Sequence, residues 1–184
     1  MAEIIAPSRS YSFPRFALLL ACLGCAAVPM TVTAADRPEV SRVEVAQSYF
    51  DAYIARDWAE LANWLDDSGS FRDPTATAVF GPVQASGKIA MLEFFQRNYA
   101  AIDGMRFEPM RMLQGGDYVI FEGTLEWDLR LTDGVLVSTR DMPFLTILHL
   151  HDGRVTEHLD YADYTPFLAA HRAATKASGS TGGD

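Results

Sequence analysis

The chain has 184 residues, 49% of them hydrophobic and 21% charged, a composition that builds one ordinary globular domain and excludes disorder as its main state. Its Lys and Arg number 15 against 24 Asp and Glu, a net charge of −9. That sign excludes a protein whose affinity comes from neutralising phosphates, so neither nucleic acid nor an anionic membrane surface is an expected partner.

Residues 1–35 are chemically unlike the rest. Arg9 and Arg15 precede an uncharged run from Phe16 to Ala35 that closes on Val32-Thr33-Ala34-Ala35. A basic start, an apolar middle and small residues before a cleavage point form a secretory signal peptide, which predicts export to the periplasm or the medium. The competing reading is an uncleaved anchor of about 20 apolar residues, but Pro29, Thr31 and Thr33 weaken its far end. Both cysteines, Cys22 and Cys25, lie inside the segment to be removed, and each misses one position of a lipoprotein motif. Cleavage leaves a chain without a thiol, unable to use Cys for disulfides, metal binding or nucleophilic attack, and not stably inserted in a membrane.

In the mature chain, apolar residues at helical spacing (Val43, Ala46, Phe50, Tyr53, Ile54) predict one amphipathic helix over 40–56. Asp57 can cap a short second helix through Leu65, and a short strand at 70–73 is stopped by Pro74. A loop containing Gly81 and Pro82 follows, with Ser86 placed to cap a helix reaching about Ile102. From Met105 the period changes to two. Strands are expected at 105–114, 118–131, 135–150 and 154–161, and the Asp133-Gly134 and Asp152-Gly153 turns between them predict an antiparallel meander. Thr165-Pro166 opens a last helix, the domain spans 36–172, and 173–184 read as a flexible tail. Helices first and a curled sheet afterwards make the fold class α+β.

The run Tyr49-Phe50-Asp51-Ala52-Tyr53, with Phe71-Arg72-Asp73-Pro74 behind it, resembles the opening of ketosteroid isomerases. The closing run Asp152 to Asp163, with Asp160-Tyr161-Ala162-Asp163 at its end, resembles the last strand of SnoaL-type polyketide cyclases and limonene epoxide hydrolases. Both belong to the nuclear transport factor 2-like superfamily, and the resemblance implies a cone of helices wrapped by a strongly bent sheet around a pocket. It implies a pocket role for Tyr49 and Asp73, which match an electrophilic Tyr and a basic Asp, and for Asp160, which matches a catalytic Asp.

Alternation along the last strand puts Thr156, His158 and Asp160 on one side, taken as the pocket side, with Val155, Glu157, Leu159 and Tyr161 on the other. A carboxylate facing an apolar pocket loses hydration, which suits acid/base work near neutral pH, and His158 could share its proton. Against this stand bland readings: Asp73 as a turn aspartate, and Asp160–His158 as a structural pair. Trp64, Phe95, Tyr99 and Trp127 read as core or pocket wall, and Asp141 and Leu145 complete the expected lining.

Two departures limit the resemblance. Leu145 stands where ketosteroid isomerases keep an acidic oxyanion donor, and Thr124 and Glu126 stand where the epoxide hydrolases keep an Arg–Asp pair. His149 and His151 lack a third metal ligand nearby, and there is no phosphate-binding glycine loop or nucleophile elbow, so no cofactor and no metal is implied.

Two functions stay open. One is an exported, cofactor-independent enzyme transferring a proton on a small apolar, polyketide- or steroid-like molecule, with Asp73 and Asp160 as acid/base groups, Tyr49 as donor and His158 as partner. The other is a non-catalytic binding module of the same fold. Phe144, Leu148, Leu150, Leu159 and Tyr161, placed opposite the pocket, predict a homodimer covering that face.

Overall fold

The computed structural model describes residues 41–180, so the leader reading and residues 181–184 lie outside the described residues. Ser41 and Glu44 form a capping box that starts α1 (Arg42–Ala55), and Arg56 ends it in the left-handed conformation. One face of α1 is fully buried through Val45, Ala46, Tyr49, Phe50, Ala52 and Tyr53. Asp57 caps α2 (Trp58–Trp64) by accepting the amide of Glu60.

The chain then enters β1 (Leu65–Arg72), α3 (Thr77–Phe80), β2 (Gln84–Ser86) and α4 (Lys88–Asn98). Ser86, expected as a helix cap, is instead paired with Ser70 in the sheet. Gly87 takes the cap position because the backbone there needs a φ of 87°, and its amide bonds the carbonyl of Gly69. The meander is present as β3 (Ile102–Gly115), β4 (Tyr118–Arg130), β5 (Leu136–His151) and β6 (Arg154–Ala162). The sheet order is β2-β1-β6-β5-β4-β3, and β1 joins β6 in parallel, so the sheet is mixed rather than wholly antiparallel. The closing helix α5 (Thr165–Ser180) runs further than the sequence suggested, through much of the expected tail.

Two bulges decide which residues face the interior. Leu125 pairs with Met142 but Trp127 with Thr139, so β5 carries an extra residue at Arg140-Asp141, and Asp141 adopts a φ of 53°. The buried set therefore switches from Val137 and Thr139 to Met142, Phe144, Thr146, Leu148 and Leu150. The second bulge is in β6: His149 pairs with Glu157 and Leu150 with Val155, leaving Thr156 as the extra residue and putting Val155 in the core with His158 and Asp160. This corrects the expected faces: Phe144, Leu148 and Leu150 lie in the core and Leu145 on the outer face, because the one-residue shift at Thr156 pairs Leu148 with His158 and Thr146 with Asp160 and so inverts a period of two.

Candidate functional site

Asp73 follows β1 directly, and Pro74 turns the chain away from the sheet. Its Oδ1 accepts the Thr75 hydroxyl at 2.5 Å and the Ala76 amide at 2.9 Å, and its Oδ2 accepts the Tyr164 hydroxyl at 2.5 Å. Thr75 Oγ1 in turn accepts the amide of Ala162, which ties this turn to the end of β6. Asp73 is thus a turn aspartate, and it also lines a cleft of about 190 Å³. The other walls include Phe80, Phe94, Tyr99, Trp127 and Tyr164, with Asn98 as a further polar group.

Behind the cleft lies a second cluster, sealed from solvent. Asp160 receives the Thr146 hydroxyl at 2.6 Å and the Tyr53 hydroxyl at 2.8 Å, and its Oδ1 lies 2.8 Å from His158 Nε2. His158 Nδ1 lies 3.0 Å from the Tyr49 hydroxyl. A neutral imidazole carrying its proton on Nε2 satisfies every one of these contacts: Nε2–H donates to Asp160, and Nδ1 accepts from Tyr49. Rings of Tyr49, Tyr53, Phe71 and Phe95 pack around the imidazole.

Tyr99 connects the two clusters. Its hydroxyl meets that of Tyr53 at 2.5 Å. Because Tyr53 donates to Asp160, Tyr99 donates to Tyr53, and the direction of the chain is Tyr99 to Tyr53 to Asp160. Burial, with the charge of Asp160 next in weight, pushes the phenols of Tyr49, Tyr53 and Tyr99 well above the ordinary tyrosine value. Burial and then Asp73 do the same for Tyr164. All four stay protonated at neutral pH and serve as donors, not bases.

The structure places the expected site residues in three groups. Asp73, Tyr99 and Trp127 line the cleft. Tyr49, His158 and Asp160 are joined to each other behind it, and Phe95 packs among them in the core. Trp64, Asp141 and Leu145 stand apart: Trp64 donates its indole N–H to Glu60, Asp141 is exposed at the β5 bulge, and Leu145 is on the outer face. Sequence reasoning missed Tyr53, Tyr164 and Thr146. Tyr53 could have been found one helical turn after Tyr49, but Thr146 is brought opposite Asp160 only by strand register. Among the described residues no group of three or more His, Cys, Asp or Glu is placed to hold a metal. His149 bonds Thr156 and packs its ring at a tilt against Tyr118.

A family model described as a SnoaL-like domain matches residues 46–158, more than half of the chain. The chain belongs to the SnoaL-like domain family. This SnoaL-like chain aligns with a candidate SnoaL-like polyketide cyclase from Shewanella denitrificans at 20% identity and TM-score 0.64, covering 72% of this chain and 97% of the other. TerC, co-crystallised with polyporic acid, aligns at 20% identity and TM-score 0.58, covering 71% and 98% of the two chains. An LEH-like epoxide hydrolase from M. tuberculosis gives 16% identity and TM-score 0.57, covering 76% and 96%. These likenesses show the nuclear transport factor 2-like fold. No curated protein matches the SnoaL-like chain.

Proposed function

We propose that the protein is an exported enzyme that moves a proton, without a cofactor, on a small and mostly apolar carbonyl or epoxide-like substrate bound in the Asp73 cleft. The observation that carries this reading is the meeting of one carboxylate with two phenols, Tyr99 and Tyr164, in a cleft otherwise walled largely by apolar and aromatic groups. Asp73 takes a proton from carbon and returns it to a neighbouring atom. Tyr99 turns its hydroxyl from Tyr53 to the substrate oxygen where negative charge develops, and the Tyr53–Asp160 bond is left intact. Asp160, His158 and Tyr49 do not border the cleft; they act through Tyr53 as positioning residues. A cleft of about 190 Å³ favours a substrate of one or two rings over a four-ring steroid, being smaller than the ~300–1,000 Å³ of drug-sized pockets.

Cyclohexanone serves as a test substrate. Wild-type protein is expected to catalyse exchange of its α-protons in D₂O, followed by NMR, and Asp73→Asn to lower the rate by about 10²–10⁴-fold with an unchanged fold. Equal exchange by both proteins would refute Asp73 as the base. Absence of exchange in the wild type would favour a binding module, a reading supported by the three donors that already hold Asp73.

A homodimer through the outer sheet face belongs to the same proposal. Leu113, Ile120, Ile147 and Leu159 are register neighbours across four strands, and Leu145 sits beside Tyr161 in an adjoining row. With Leu113 50% and Tyr161 38% exposed, this band is apolar where an uncovered sheet face is normally polar.

A further inference from the structure

Among the described residues, the interior of the cone holds two buried carboxylates, Asp73 and Asp160, and neither is paired with a Lys or Arg. Asp73 makes no ion pair, and Asp160 meets only the imidazole of His158, whose neutral form satisfies that contact. The cleft lining includes no Lys, Arg or His. Arg56, on the neighbouring end of α1, turns its guanidinium to the carbonyls of Ile102 and Asp103 and is not part of the lining. Five aromatic residues, Phe80, Phe94, Tyr99, Trp127 and Tyr164, share the walls with Asp73. Their rings offer negative faces, and the carboxylate adds a full charge in a site of low dielectric. Tyr99 and Tyr164 register the same field: after burial, Asp160 and Asp73 respectively raise their phenols most.

We propose that the Asp73 cleft selects small organic cations, so that the substrate carries an alkylammonium group seated among these rings with its charge toward Asp73. This rests on the cleft being the substrate site, and it narrows the substrate to carbonyl compounds bearing a basic nitrogen. A cationic nitrogen beside the reacting carbon makes the C–H more acidic, so charge selection and proton transfer reinforce each other at one site. Anionic substrates are excluded by the same field.

The test uses three probes of nearly one shape and different charge: tetramethylammonium, tert-butanol and pivalate, titrated into the purified protein at about 0.15 M salt and followed by ligand-observed NMR. Tetramethylammonium should bind about tenfold or more tightly than tert-butanol, with pivalate weakest. Asp73→Asn should reduce the tetramethylammonium preference to near that for tert-butanol. Because the chain carries a net charge of −9, general surface attraction would survive this loss of one charge, and a preference that persists in Asp73→Asn overturns the proposal. Phe80→Leu, at a residue 49% exposed at the cleft, provides a second variant that removes a ring without opening the core. It should weaken tetramethylammonium several-fold and leave tert-butanol unchanged. Equal binding of the cation and the alcohol, tighter binding of pivalate, or no binding of any probe overturns the proposal. Since the titration needs no turnover, its outcome is separate from the exchange assay: a cation preference that is lost in Asp73→Asn upholds charge selection by the cleft whether or not the neutral cyclohexanone is exchanged.

Discussion

Replacing Asp160 by Leu tests whether the buried cluster is scaffold or chemistry. Asp160 accepts hydrogen bonds from Thr146, Tyr53 and His158, and the first and last of these have no exposed surface. In Asp160→Leu, Tyr53 can turn its hydroxyl to Tyr99, but the Thr146 hydroxyl and the His158 N–H lose their acceptor. At about 1–3 kcal/mol for each buried donor left unpaired, the variant loses ~2–6 kcal/mol, with relief of the buried charge favouring the lower end. Against a typical stability of about 5–15 kcal/mol, that is a large fraction. Asp160→Asn differs: its carbonyl oxygen still accepts from Thr146 and His158, and its amide faces the Tyr53 oxygen, so the expected loss is about 1 kcal/mol. Urea unfolding read at constant m gives both numbers. An Asp160→Leu protein within about 1 kcal/mol of the parent, or an Asn variant as damaged as the Leu one, would refute the network as drawn. In the ketone exchange assay Asp160→Asn should fall less than Asp73→Asn, because it acts only through Tyr53 and Tyr99.

Alkaline stability should follow the buried phenols. Tyr49, Tyr53, Tyr99 and Tyr164 all have folded-state values raised above the unfolded one. Their contribution is therefore complete below about pH 10 and declines above it by ~1.4 kcal/mol per pH unit for each phenol, about 5.5 kcal/mol per pH unit for the four together. Phenolate absorbance at these residues should appear with loss of circular dichroism between about pH 11 and 13; stepwise ionisation in an intact fold would contradict the burial argument. Gly123→Ala should destabilise the protein by about 2 kcal/mol, since a Cβ there meets the Phe107 ring at 2.7 Å and the Glu108 carbonyl; a melting temperature equal to the parent's would show that β3 gives way easily. Light scattering should return a dimer mass that falls to the monomer in Ile147→Lys, and a parent that is already monomeric at micromolar concentration would sink the outer-face interface. Intact mass of the exported protein should show loss of residues 1–35, and a full-length, membrane-extracted species would rule against cleavage.

Sequence by itself determined the order of the longer helices and of the four strands of the meander, because local physics writes it there, whereas α3 and β2 stand where a loop was expected. The switch from helical to period-two spacing after Met105, the Asp57 cap and the two Asp-Gly turns each act within a few residues, and the strands they predict lie within a few residues of those observed. Asp73, Asp160 and His158 were legible as candidates for the same reason: polar residues on an apolar strand face, or at its end, are conspicuous. Tertiary structure alone decided where those groups point. An extra residue in β6, Thr156, shifts its register with β5 by one, turning Leu145 outward and Phe144, Leu148 and Leu150 toward the interior, and no local signal marks that bulge. Parallel pairing of β1 with β6 brings Asp73 near Tyr164, and antiparallel register brings Thr146 opposite Asp160. These long-range pairings separate a carboxylate open to the cleft from one sealed behind two tyrosines, a distinction set by burial and hydrogen-bond partners that spacing along the chain does not encode.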